Sequence, residues 1–204
     1  MCVIEKYRNM EDFLTIRKND ISPEPYANEK FIESGIDSVK DRIKHGDKIL
    51  DVGCGHGYAM DVFKELGADP VGITLDAYDK KIAESRGHVV NLMDMSFMEF
   101  ENEYFDGIWA RHCIEHSIFP FYTLYEFNRV LKPLGWLYLE MPSPGSAYNH
   151  EFNGNHYSIL GGKMWASLIT RANFKIIGSF IITFEVPTGT EKYYRFIAEK
   201  ICFT

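Results

Sequence analysis

The chain has no cysteine pair at C-x-x-C spacing, no long run of lysine and arginine, and no apolar stretch near the roughly 18 residues that a membrane span requires. Each absence removes a class of function. Cys2, Cys54, Cys113 and Cys202 are far apart, and the N-terminus lacks the basic-then-apolar pattern of a signal peptide. They are therefore expected to be reduced thiols of a cytoplasmic protein. With 22 basic residues against 29 acidic ones, the net charge is −7 and no cluster stands ready to neutralise a row of phosphates. Nucleic acid is disfavoured as a partner, and membrane insertion is not expected. Internal repeats and low-complexity tracts are absent too, which excludes solenoids and arrays.

What remains is a chain of 204 residues, 46% of them hydrophobic, enough for one sizeable core and too few for two comfortable domains. A single domain is expected, with 1–28 as an N-terminal arm or lid and 29–204 as its core. From Glu29 to Lys44 the residues Phe31, Ile32, Ile36, Val39 and Ile43 recur at helical spacing. Strands are expected at Lys48–Val52, Pro70–Thr74, Val89–Leu92, Phe105–Ala110 and Trp136–Met141, with helices between them. That alternation belongs to a parallel sheet covered by helices on both faces. After a helix at Gly162–Ala172, the apolar stretches Lys175–Thr183 and Tyr193–Lys200 flank a Pro/Gly turn and read as an antiparallel hairpin on one edge.

The most informative segment is Asp51-Val52-Gly53-Cys54-Gly55-His56-Gly57, where an apolar strand runs into a G-x-G-x-G turn. A pyrophosphate-binding dinucleotide turn has its third glycine one residue later. Here the turn begins with an acid, which repels phosphate and accepts hydrogen bonds from an ammonium group. The segment resembles the first motif of class I S-adenosylmethionine-dependent methyltransferases. Two later segments extend the resemblance: Phe105-Asp106 through Ile114-Glu115-His116, and Arg129-Val130-Leu131-Lys132-Pro133-Leu134-Gly135, in which Leu134 replaces the usual first glycine. The family implies a Rossmann-like seven-stranded, mostly parallel α/β sheet ending in a C-terminal antiparallel hairpin.

The same resemblance implies S-adenosyl-L-methionine as cofactor, with Asp51, Gly53, Gly55, Gly57 and Arg111 among its binding residues. A carboxylate about 20 residues after the turn accepts ribose hydroxyls in such folds. Most relatives carry it where Thr74 stands, so the role falls either to Asp76 or to Thr74 with Leu75, and Asp76 reads equally well as a helix N-cap. Asp94, followed by Met95, matches the acid and backbone N–H that read an adenine edge.

Positioning carries most of the rate when the electrophile is already activated. Candidate bases are His112 and His116 after the fourth strand and His150, Glu151 and His156 after the fifth. His116 and His156 lead as catalytic residues, although a lone histidine is more often a packing group. Residues 112–116 also spell H-x-x-E-H, an inverted zinc-protease signature, but the adjoining strand and Pro120 leave no helix long enough for it. No metal is assigned. The polar, aromatic stretch Asn149–Tyr157 suits the wall of a pocket for a small polar methyl acceptor. Protein or RNA acceptors, or a cofactor-binding module without catalysis, are the alternatives.

Overall fold

The structure is a computed structural model that describes residues 29–202. The expected arm or lid at 1–28 lies outside the described residues.

The first helix, α1, runs over Glu29–Asp37, and a separate 3-10 turn follows at Lys40–Arg42, so the helix expected to reach Lys44 breaks early. Ser38 is the cause. Its hydroxyl donates to the Gly35 carbonyl at 2.5 Å and its N–H to the same oxygen at 3.1 Å, replacing the helical pattern with tighter bonds. Gly35 also lets the helix lie close to the sheet: a β-carbon there would stand 2.5 Å from Trp109 and 2.6 Å from the Tyr138 hydroxyl.

Strands β1 (Lys48–Val52), β2 (Asp69–Thr74), β3 (Val89–Leu92), β4 (Phe105–Arg111) and β5 (Leu131–Pro142) alternate with helices α2 (Tyr58–Glu65), α3 (Ala77–Ser85) and α4 (Pro120–Val130). Helix α5 (Gly162–Arg171) then leads to β6 (Phe174–Val186) and β7 (Gly189–Lys200). The strand order is β3-β2-β1-β4-β5-β7-β6, parallel through β5 and antiparallel where β7 inserts between β5 and β6. The expected Rossmann-like sheet with a C-terminal hairpin is therefore present, and it carries helices on both faces.

Alternation along each strand divides the core. Ile49, Trp109, Trp136, Tyr138 and Ile197 face α1 and α2, while Leu50, Val52, Ile108, Leu137 and Phe196 face α4 and α5. Trp109 and Tyr138 stack at 4.0 Å between ring centroids. Because β1 lies between β2 and β4, the connections leaving β1 and β4 diverge to opposite sides. A crevice opens at the carboxyl ends of these strands, the place where open α/β sheets bind ligands.

Strand β5 begins at Leu131, directly after α4, earlier than the expected Trp136. Its pairing with β4 jumps from Phe105↔Leu131 to Gly107↔Trp136, and the surplus residues form a bulge. Leu134 sits there with φ 62° and 64% of its surface exposed, a left-handed conformation with no packing in return. Leu134→Gly removes roughly 1–2 kcal/mol of strain and adds about 0.5–1 kcal/mol of unfolded-state freedom. Urea denaturation should show a net gain of about 0.5–1 kcal/mol; an unchanged or lower midpoint would mean that the bulge accommodates leucine at no cost.

Candidate active site

The turn after β1 is built from three left-handed glycines, Gly53 (φ 68°), Gly55 (φ 48°) and Gly57 (φ 81°), a path that side-chain-bearing residues follow only with strain. Gly53 and Cys54 donate their N–H groups to the Ile73 carbonyl at 2.9 and 3.1 Å, which ties the turn to β2. Gly57 corrects one expectation. It does not line the crevice but precedes α2, where a β-carbon would meet His88 at 2.7 Å and Ala83 at 3.3 Å. Its role is to let α2 and α3 pack together.

Beyond the turn lies a cavity of about 400 Å³, bounded by Asp51, Gly53, Gly55, Thr74, Leu75, Asp76, Asp94, Met95 and Arg111. At its other end stand His112, Glu115, His116, His150 and His156. Asp51 is 3% exposed, and burial pushes its carboxyl up to about 7 against the opposing charge of Arg111. Strand β2 ends at Thr74, and Asp76 turns into α3 as its N-cap, accepting from the Tyr78 N–H at 2.7 Å. The Thr74 hydroxyl in turn accepts from the Asp76 N–H at 3.1 Å, so both ribose candidates border the cavity in one hydrogen-bonded unit. Asp94 is fixed by a bond from the Ser96 N–H at 2.7 Å.

Asp79 and His56 also line this end, with His56 Nε2 3.3 Å from the Asp79 carboxylate. Sequence reasoning missed them. The signal was available, since Asp79 follows the cap residue Asp76 by three positions and so shares its side of α3.

Arg111, Glu140 and Arg195 stand side by side across β4, β5 and β7. Glu140 is fully buried and accepts from Arg111 Nε at 2.9 Å, Arg195 Nε at 2.9 Å and the Tyr138 hydroxyl at 2.8 Å. Burial alone would raise its pKa, yet His112 and the two guanidinium groups outweigh it and hold the carboxyl at about 2. His112, at φ 49°, ends this row: Nδ1 lies 3.5 Å from Glu115 and Nε2 3.6 Å from Glu140. Burial opposes a charge on His112, but the two carboxylates prevail and raise its pKa.

Glu115 and His116 occupy a single 3-10 turn, Ile114–His116, so the H-x-x-E-H residues share no helix and a protease-type arrangement is absent. The backbone carbonyl of Glu115 accepts from the Tyr157 and Ser158 N–H groups at 2.8 and 2.9 Å, which draws the loop after β5 against this turn. Fully buried Glu191 anchors the other end of that loop through Ser146, the Tyr148 N–H and His150. His116 and His156 thereby meet edge to face, with centroids 4.8 Å apart, and ligand atoms of Glu115, His116 and His156 lie within 4.8 Å of one another. Burial depresses the His156 pKa to about 4. Glu151, a candidate base, is exposed, accepts from the Gly145 N–H, and does not line the cavity.

A family profile described as a methyltransferase domain matches residues 26–177. The chain belongs to the methyltransferase-domain family. The resemblance of the glycine turn to the S-adenosylmethionine-dependent class agrees with that membership. The ubiquinone biosynthesis O-methyltransferase of Paracidovorax citrulli is 24% identical over 160 residues, covering 74% of this chain and 58% of its own length. Squalene methyltransferase 1 of Botryococcus braunii is 28% identical over 174 residues, covering 75% of this chain and 46% of itself. The chain thus spans about half the length of these curated relatives. Among solved structures, Burkholderia thailandensis 1,6-didemethyltoxoflavin-N1-methyltransferase, with its substrate and S-adenosylhomocysteine bound, superposes at a TM-score of 0.71. It is 18% identical, over 99% of this chain and 92% of that one, so the likeness establishes the fold.

Within this member of the methyltransferase-domain family the Arg111–Glu140–Arg195 row is the most consequential electrostatic unit. Glu140→Ala leaves two buried guanidinium groups facing each other and should destabilise the protein by about 3–5 kcal/mol in chemical denaturation. A loss below about 1 kcal/mol would show that water fully replaces the carboxylate.

Proposed function

We propose that the chain binds S-adenosyl-L-methionine along this cavity and transfers its methyl group to a small polar acceptor at the histidine-lined end. One observation carries the reading. A buried carboxylate, Asp51, sits at the base of a left-handed glycine turn, and among the described residues the charge that opposes its elevated pKa is Arg111, itself engaged by Glu140. Such a group is suited to an incoming ammonium. In this assignment Asp51 takes the cofactor's amino group, and Gly53 and Gly55 let the backbone approach. Arg111 supplies positive charge for its carboxylate. Thr74, Leu75 and Asp76 border the ribose, Asp94 accepts from the adenine amino group, and Met95 provides a backbone donor and an apolar wall.

When bound, the cofactor supplies an electrophilic sulfonium methyl. The chain's own work is to hold the acceptor in line with it, exclude water and manage the acceptor's proton. His116 and His156 stand at the acceptor end, where they orient the acceptor. The printed names of the relatives and of the structural neighbour describe methyltransferases of small molecules, which together with the acidic net charge supports an acceptor of that kind.

Methyl-labelled cofactor should be bound with one site per chain and should label low-molecular-weight metabolites in an extract. Label concentrated in protein or RNA would overturn the acceptor class, and tight binding with no label anywhere would favour a non-catalytic cofactor module. The binding step should also depend on pH. Below the free Asp51 pKa of about 7 a proton must leave before the ammonium can pair, so affinity should fall by up to about tenfold per pH unit from 7 toward 5. Above 7 it should level off. Asp51→Asn should bind weakly and without this slope; a wild-type profile that is flat from pH 5 to 8 would place the ammonium elsewhere.

A further inference from the structure

We infer that Glu115, His116 and His156 form a binding site for one divalent transition-metal ion at the acceptor end of the cavity, where it holds an oxygen-bearing acceptor. Two segments of chain converge there: the 3-10 turn that follows β4, and the loop after β5, pinned to that turn by the two backbone bonds to the Glu115 carbonyl.

Each side chain is prepared as a ligand. His116 Nδ1 lies 2.9 Å from the Asn155 carbonyl, and His156 Nδ1 lies 3.1 Å from the His150 carbonyl. A carbonyl only accepts, so both Nδ1 atoms carry the proton and both Nε2 lone pairs are directed away from it. Histidine ligands of metals are oriented and made more basic in this way. Glu115 is 2% exposed, and its Oε2 is buried without a hydrogen-bond partner, while Oε1 faces His112. An ionised oxygen without a partner is costly in a protein interior and is explained by a cation.

His150 stacks on His156 and is not a ligand, because its Nε2 is bound to Glu191 at 3.0 Å. The Asn153 amide nitrogen stands 3.3 Å from His156 Nε2, a long contact on an exposed part of the loop that a cation would displace. The ligand atoms, now within 4.8 Å of one another, must draw in to about 3.3 Å to bind zinc, and the loop carrying His156 can supply that movement. Two imidazoles and one carboxylate select ions of borderline softness such as Zn2+, Fe2+ or Co2+, and leave coordination positions open toward the cavity. An acceptor hydroxyl in such a position loses its proton to solvent more readily. The inference rests on the proposed function only for the identity of that occupant; the cation site stands on the three residues.

The test uses the full chain freed of metal by chelation. Visible absorption titration with Co2+ should show one tight equivalent with imidazole-carboxylate spectral character. His156→Ala, a change at a half-buried loop position, should weaken it at least tenfold, as should Glu115→Gln. His45→Ala, on the exposed far side, should leave it unchanged. Equal Co2+ affinity in wild type and His156→Ala, or binding lost with His45→Ala, would overturn the site. Cofactor binding is measured on the same metal-free protein. If it persists while Co2+ fails to bind, the cation site falls and the proposed function stands; if Co2+ binds and the cofactor does not, the reverse holds.

Discussion

Glu140 is a full negative charge with no access to solvent, and the order of the site depends on how it is neutralised. Two guanidinium groups, one from each neighbouring strand, and the hydroxyl of Tyr138 converge on it. Their convergence fixes the register of β4, β5 and β7 at the strand ends that border the cavity. It also fixes Arg111, which is the nearest charge to Asp51. Two carboxylates on the same face of one sheet therefore behave oppositely. Glu140 is held at about 2 by its partners, whereas burial leaves Asp51 at about 7. Partner geometry, with burial common to both, makes the difference.

That contrast gives the cavity a polarity suited to methyl transfer. At one end, the glycine turn and Asp51 leave a buried carboxylate open to an ammonium; at the other, His112 passes the charge of Glu140 on to Glu115 and the histidine wall. The two ends are not independent, since His112 contacts both Glu115 and Glu140.

A relative and a structural neighbour carry names as different as squalene methyltransferase and 1,6-didemethyltoxoflavin-N1-methyltransferase. The loop after β5 and the 3-10 turn after β4, which meet at the acceptor end, are connections between elements, and connections can change without disturbing a parallel sheet.

The local pattern of residues determined the sheet, the hairpin, the glycine turn and the positions of Asp51 and Asp94, because strand alternation, left-handed glycines and chain order act over a few residues. Helix α1 ended sooner than its apolar spacing implied, since the Ser38 side chain competes for a carbonyl that periodicity alone cannot see. Gly57 carried the right spacing and a different duty, because what its missing side chain makes room for is His88, 31 positions away, across α2 and α3. His116 and His156 were each visible as isolated histidines. Their meeting with Glu115 was decided by tertiary structure alone: two backbone bonds across 42 and 43 residues bring the loop to the turn. Nothing in either local sequence encodes such a distance, because only the closed sheet places β4 and β5 side by side.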